Sequence, residues 1–249
     1  MDKQPIIPHN AQKVQPAKPF LKWAGGKGQL LNQFHELYPS ELKAGKIKNY
    51  YEPFLGGGAV FFDIRQNFRF DNSILYDINE ELILVYRVIQ KNSDRLIKLL
   101  KDTEDEYLKL DNGSRKLYYY RIREEFNNQK NNWKPENISE ISINRAAQTV
   151  FLNKTCYNGL FRFNNKGGFN TPAGDYKNPT ICDSANILKV SELLQGSEIK
   201  CAGFEQVLND VNRNSFVYFD PLYRPLSKTA SFTAYSKQVF NDDDQRRLA

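Results

Sequence analysis

Between Lys46 and Asp77 the chain passes through four kinds of segment in an order that few folds can accommodate. Lys46 to Glu52, K-I-K-N-Y-Y-E, reads as a strand. It runs into a glycine-rich turn, Pro53 to Gly58, and A-V-F-F-D-I-R then begins a helix. Ser73 to Tyr76 is a second strand, closed by Asp77. A strand, a glycine turn, a helix and a strand in succession make the repeating unit of an α/β sheet domain. Glycines in the turn let backbone approach a ligand closely. The helix start behind them offers unpaired N–H groups. An acid closing the second strand stands where dinucleotide folds hold ribose hydroxyls.

The glycine spacing narrows the ligand. With Gly56 and Gly58 as the first pair, a nicotinamide dinucleotide fingerprint needs a third glycine at position 61, where this chain has Phe61. A pyrophosphate is therefore poorly served. S-adenosylmethionine has no pyrophosphate and fits better. Glu52 points the same way, because an acid facing the ligand opposes a pyrophosphate and attracts a sulfonium and an amino group. The competing reading is an ordinary glycine turn with surface acids; Glu52, the turn and Asp77 taken together outweigh it. A second glycine segment, Lys22-Trp23-Ala24-Gly25-Gly26-Lys27, is not a P-loop. Gly28 follows where a magnesium-binding Ser or Thr is required. From its residues alone, Trp23 reads as core packing.

The remaining segments fill in the plan. Residues 1–17 are polar, hold Pro5, Pro8 and Pro16, and read as a disordered leader. Residues 79–130 carry helical patterns, Asn127 to Pro135 is a polar connection, and Arg145 to Leu152 is a further helix. Tyr157 to Pro179 is rich in Asn, Gly, Phe and Lys and reads as loop and hairpin. Glu198 to Ala202 and Phe216 to Phe219 are further strands. The expectation is an α/β sheet domain interrupted by a helical, loop-rich insertion.

Composition sets outer limits. A chain of 249 residues with 40% hydrophobic residues can build one large domain or a domain with a sizeable insertion. The net charge of +6 suits a polyanionic partner. Three widely spaced cysteines, Cys156, Cys182 and Cys201, form neither a disulfide framework nor a C-x-x-C pair. With His9 and His35 as the two histidines, a histidine zinc site or a Ser/His/Asp triad is disfavoured. The sequence has no long apolar run and no signal-like leader, which leads to the expectation of a soluble, cytoplasmic protein away from any membrane.

The chemistry is suggested by Asp220-Pro221-Leu222-Tyr223, which follows the apolar run Phe216-Val217-Tyr218-Phe219. An acid leaving a strand for a proline-stiffened turn beside an aromatic is an amine-handling arrangement, one residue from D-P-P-Y. With P-F-L-K-W-A-G-G-K (19–27) and E-P-F-L-G-G-G-A-V-F (52–61) before it in the chain, it resembles Dam-type DNA adenine-N6 methyltransferases of the D12 class, alpha group. Y-Y-Y-R-I-R-E-E-F-N (118–127), N-K-T-C-Y-N-G-L-F-R-F-N (153–164), G-G-F-N-T-P-A-G-D-Y-K-N-P (167–179) and P-L-S-K-T-A-S-F-T-A-Y (225–235) share the likeness.

The resemblance implies a Rossmann-like S-adenosylmethionine-dependent methyltransferase sheet with an inserted helical and hairpin DNA-recognition domain. It places the catalytic domain at 18–80 and 195–249 and the recognition insertion at 81–194. It further implies that Trp23, Lys27, Glu52, Phe54, Gly56, Asp77 and Asp220 hold S-adenosylmethionine. Asp220 and the Pro221 carbonyl would accept hydrogen bonds from the target amino group, and Tyr223 would stack on the extruded adenine. An adenine amino lone pair is delocalised into the ring; acceptors on its hydrogens make the nitrogen more electron-rich as the methyl arrives. The base must leave the duplex to reach such a site. No metal is required. Lys22, Tyr157, Asn158, Leu160 and Arg162 match DNA-contacting positions, with Arg and Asn suited to base edges. The implied partner is double-stranded DNA, met by a monomer, with a restriction endonuclease as a functional companion.

Three departures qualify these expectations. Leu222 stands where a second proline fixes backbone geometry, so a DNA-binding remnant without catalysis is the alternative. An RNA or protein amide methyltransferase is a weaker rival, because Asp220 stands where those carry Asn. Asp175 stands where the family often has Arg, which leaves a GATC target open. Asn241 to Asp244 reads as a helix cap continued by Gln245 to Ala249. Family members continue from there through further strands, so the expected sheet is incomplete, with Phe216–Phe219 an apolar edge and poor solubility in consequence.

Overall fold

Four parallel strands form a single twisted layer, and their order explains where a site can lie. The computed structural model describes residues 15–129, 132–221 and 242–248. Strand β1 (Asn49–Glu52) pairs with β2 (Asn72–Asp77), and β2 pairs with β3 (Ser197–Cys201). Strand β4 (Ser215–Val217) returns to the opposite side of β1, giving the order β3-β2-β1-β4. Successive strands therefore step one way from β1 and then the other. A crevice opens at such a reversal, beyond the carboxyl ends of the strands.

The strands are short and covered on both faces, as parallel strands usually are. All four residues of β1 are buried. Tyr50 faces the larger core with Phe61, Phe70 and Phe216. Tyr51 faces a small second cluster with Ile74, Tyr76 and Val207. The strands expected at Lys46–Glu52, Ser73–Tyr76, Glu198–Ala202 and Phe216–Phe219 are all present, with ends shifted by no more than three residues.

Helices α1 (Leu31–Leu37) and α2 (Ser40–Lys43) lead into β1, and α3 (Ala59–Asn67) connects β1 to β2. Helix α4 (Glu80–Lys109) is kinked at Asn92, whose φ of −141° is not helical. Helices α5 (Asn112–Asn128) and α6 (Glu140–Thr155) follow, then α7 (Ser184–Leu194), which the sequence pattern did not reveal. Helices α8 (Val207–Asp210) and α9 (Asp242–Leu248) complete the set among the described residues. Side-chain caps start the long helices: Asn79, Asp111, Ser139 and Asp183 each accept a backbone N–H three residues on.

Helix α6 is buried along most of its length, so it cannot be amphipathic and has to be held from several sides. Its main anchor is an ion pair. The Arg145 guanidinium meets both carboxylate oxygens of Glu81, with Nε donating at 2.9 and 3.1 Å, and Nη1 donates to the Phe126 carbonyl at 2.8 Å. The rings of Phe126 and Trp133 cover the guanidinium at 3.9 and 4.8 Å. Glu81 lies in the first turn of α4, directly after the strand-closing Asp77. The pair thus ties α6 to the first turn of α4, just beyond β2.

Two expectations meet the structure at their edges. Packing begins inside the leader expected over 1–17. The backbone N–H of the buried Ala17 donates to Gln66 Oε1 at 2.6 Å, and residues 1–14 lie outside the described set. The segment expected as loop and hairpin, Tyr157 to Pro179, contains the antiparallel bridge Phe163–Phe169, and its Ala173 bridges back to Cys156 just before it.

Removing one partner of a buried ion pair leaves an uncompensated charge, so Arg145→Ala is expected to lower unfolding free energy by about 3–5 kcal/mol. Arg145→Met with Glu81→Leu should recover much of that loss. Denaturant midpoints measure both, and an unchanged midpoint for the single variant would refute the anchor.

Candidate active site

The crevice at the strand-order reversal is a cavity of about 260 Å³. Glu52 and the glycine turn enter it from β1, Asp77 to Asn79 from β2, Gly203 to Glu205 after β3, and Tyr218, Asp220 and Pro221 after β4. Trp23 to Lys27 close one side, and Asp244 and Arg247 of α9 line another.

Glu52 ends β1 with its side chain buried. Its carboxylate accepts a 2.5 Å hydrogen bond from the Tyr50 hydroxyl. Burial pushes its pKa up to about 8, and the neighbouring charges of Asp220 and Asp77 add to the rise; the Tyr50 bond opposes it. Asp77 is also raised by burial, against the backbone N–H groups of Asn79, Gly56 and Ile78 that favour its charged form. Its two oxygens accept from Gly56 N at 3.0 Å and Asn79 N at 2.9 Å.

The glycine turn is shaped by its neighbours. Gly56 has φ +49° and Gly58 has φ +71°, a region that side chains disfavour. A Cβ on Gly58 would lie 2.4 Å from the Tyr86 hydroxyl, and one on Gly56 would lie 3.1 Å from the Trp23 ring. A side chain at Gly58 would clash with Tyr86 and Phe62, and one at Gly56 would press on Trp23. The Tyr86 hydroxyl donates to the Gly56 carbonyl at 3.1 Å, which holds the turn open.

Lys27 supplies the positive charge. Its Nζ lies 2.6 Å from Asp220 Oδ2 and donates to the Gly25 carbonyl at 2.8 Å. Phe54 stacks on Phe204, with centroids 5.5 Å apart, giving an aromatic wall. Arg247 pairs with Glu205 at 2.9 Å near the same wall. The arrangement offers five acids (Glu52, Asp77, Glu205, Asp220 and Asp244), Lys27, Arg247 and an aromatic surface around one space. It suits a ligand with a planar ring at one end and mixed charges at the other. Among the described residues, no group of three or more His, Cys, Asp and Glu side chains could hold a metal ion.

All seven residues expected to hold the cofactor line this cavity: Trp23, Lys27, Glu52, Phe54, Gly56, Asp77 and Asp220. Pro221 joins them; Leu222 and Tyr223 lie outside the described residues. Trp23, whose own segment reads as packing and which the resemblance placed at the cofactor, does both, lining the cavity and lying 6.3 Å from Phe161. The sequence reading missed Phe204, Glu205, Tyr218 and Arg247. The first two follow β3 as Asp77 follows β2, a signal available in hindsight from strand ends; no signal in the sequence pointed to Arg247.

The residues expected at DNA gather on a second surface. Tyr157 and Asn158 are exposed at the turn after α6, where Asn158 adopts φ +51°. Arg162 Nε donates to Asn170 Oδ1 at 3.1 Å, and Leu160 is half-buried. The exposed Lys22 places its Nζ 3.8 Å over the Tyr176 ring. Asp175 is exposed nearby in sequence.

Known proteins share this chain's sequence over most of its length. It is 54% identical over 232 residues to "Type II methyltransferase M.MjaIII" of Methanocaldococcus jannaschii, covering 93% of this chain and 78% of that protein. It is 37% identical over 233 residues to "Type II methyltransferase M1.LlaDCHI" of Lactococcus lactis subsp. cremoris, covering 93% and 74%. A "DNA adenine methylase" of Salmonella typhi is 34% identical over 230 residues, covering 92% and 73%. Residues 23–249 match the model of the D12 class N6 adenine-specific DNA methyltransferases, and the chain belongs to this family, whose activity is S-adenosylmethionine-dependent methylation of adenine in DNA.

Proposed function

We propose that the cavity binds S-adenosylmethionine and that methyl transfer to an adenine amino group, turned out of a short duplex site, takes place at Asp220. The observation that carries this reading is the convergence of Glu52, Asp77 and Asp220 from three parallel strands onto one space that also holds Lys27. When bound, the cofactor supplies an electrophilic methyl group. The residues present fit it. Asp77 suits ribose hydroxyls, Phe54 suits a planar ring, Lys27 suits a carboxylate, and Glu52 suits a cationic centre.

In this reading Asp220 accepts a hydrogen bond from the adenine amino group, with the Pro221 carbonyl as second acceptor. Both raise electron density on a nitrogen that is otherwise a poor nucleophile. Tyr223 stacks on the flipped base. Lys22, Tyr157, Asn158, Leu160 and Arg162 form the DNA contact, within a recognition region at 81–194 set into a catalytic domain at 18–80 and 195–249. At one end of that region α4 packs on β2 and β3; at the other, α7 packs on α3 and α4. The target sequence, GATC included, is read from protection against restriction enzymes.

Radiolabelled methyl transfer into duplex DNA free of adenine methylation tests the reading. Asp220→Ala should lower the rate by on the order of 100-fold or more while duplex binding in a gel-shift assay persists. An unimpaired Asp220→Ala enzyme would end the assignment.

Leu222 favours a second reading, a DNA-binding protein with weakened transfer. Leucine removes two backbone restraints beside Asp220, and a displacement near an ångström costs on the order of 100-fold. Leu222→Pro should therefore raise the transfer rate; equal rates in parent and variant would dismiss the effect.

Glu52 makes cofactor binding depend on pH. Below its pKa of about 8 the carboxyl is mostly neutral, so binding a cation there must also release a proton. Affinity for S-adenosylmethionine, relative to the neutral sulfide S-adenosylhomocysteine, should rise with pH up to about 8 and then level off. Glu52→Gln should flatten that rise. Calorimetric titrations across the range decide it, and a ratio independent of pH in the parent would contradict the role.

A further inference from the structure

The backbone of Lys22 is held from both sides by one side chain. Asn153, fully buried near the end of α6, accepts the Lys22 N–H at 2.7 Å and donates to the Lys22 carbonyl at 2.8 Å. A carboxamide is suited to this because it carries a donor and an acceptor in one plane. The next residue, Trp23, lines the cofactor cavity, and its ring and Cβ lie against Gly56 and Gly57. The Lys22 side chain runs the other way. A Cβ on Gly159 would lie 2.6 Å from Lys22 Cβ and 2.7 Å from its Cδ, so the lysine stem fills the space that glycine leaves in the turn after α6. Lys22 Nζ continues to the Lys154 carbonyl at 3.3 Å and to the Tyr176 ring.

Lys22 is therefore packed between the wall of the cavity and the turn that carries Tyr157 and Asn158. Neither surface can shift by much without moving it, since backbone approached this closely cannot yield. We propose that Asn153 is a positioning residue that couples cofactor binding to duplex-DNA binding, by fixing the Lys22 backbone against both. The inference rests on the reading that this turn meets DNA. Asn153 lines neither the cavity nor an exposed surface, so it acts through Lys22 and Trp23. Such coupling is reciprocal: whatever the cofactor adds to DNA affinity, DNA adds to cofactor affinity.

The test measures S-adenosylhomocysteine affinity of the full chain by calorimetry, with and without saturating linear plasmid DNA free of adenine methylation. The parent should bind more tightly with DNA, by on the order of 10-fold. Asn153→Asp keeps the size but turns an oxygen toward the Lys22 carbonyl, and should bring that ratio close to one. Partial unfolding would lower the number of binding sites and leave the ratio alone, which separates positioning from simple support. A ratio of one in the parent, or an undiminished ratio in Asn153→Asp, overturns the proposal. A parent that shows no DNA binding in a gel shift fails the DNA reading itself, and the proposal falls with it. Gly159→Ala serves as the second variant should Asn153→Asp not fold. It presses on Lys22 from the turn and should weaken S-adenosylhomocysteine binding several-fold, although Gly159 does not line the cavity. Unchanged affinity there overturns the coupling as well.

Discussion

Strands that run in the same direction finish at the same edge, and the site depends on that constraint. Glu52 leaves β1, Asp77 closes β2 and Asp220 follows β4, so three carboxylates far apart in sequence emerge together. Burial raises the pKa of Glu52 and of Asp77, and the charges of Asp220 and Asp77 add to the rise at Glu52. The structure answers with Lys27 on Asp220, the Tyr50 hydroxyl on Glu52, and backbone N–H groups on Asp77. Each acid has a different neutralising partner. Three acids can therefore stand around one space, with Glu52 mostly neutral below about pH 8.

What could be read from the sequence was what depends on neighbours along the chain. The glycine turn between two strands gave both the α/β class and the ligand edge, because glycine spacing, helix starts and strand-closing acids are local. The caps at Asn79, Asp111, Ser139 and Asp183 are equally local, although the sequence reading did not single them out. The helix α7 escaped notice although its buried residues Ile187, Val190 and Leu194 recur at helical spacing; it is short, at 11 residues. The pairing of Arg145 with Glu81 could not be read at all. The two are 64 residues apart, and nothing in either segment announces a buried charge. Arg247 at the cavity and Asn153 on Lys22 escaped for the same reason, since both contacts cross long stretches of chain.

Helix α6 has a part in both halves of the molecule. Near its start, Arg145 is tied to Glu81 just beyond the end of β2; near its end, Asn153 grips Lys22 and the chain passes into the exposed turn at Tyr157. A buried helix fixed at two points behaves as a strut. It sets the distance between the crevice at the sheet and the surface proposed for DNA, and long surface loops could not set that distance as firmly.

The two oxygens of Asp77 are already engaged, one with the Gly56 N–H and one with the Asn79 N–H. This carboxylate staples the glycine turn to the start of α4, whatever it later offers a ribose. A screen that ranks residues by loss of cofactor affinity would put Asp77 near the top even if it never touched the ligand. Genetic evidence at this site would thus overstate recognition, and Asp77→Asn, which keeps one acceptor oxygen, is a fairer probe of ribose contact than Asp77→Ala.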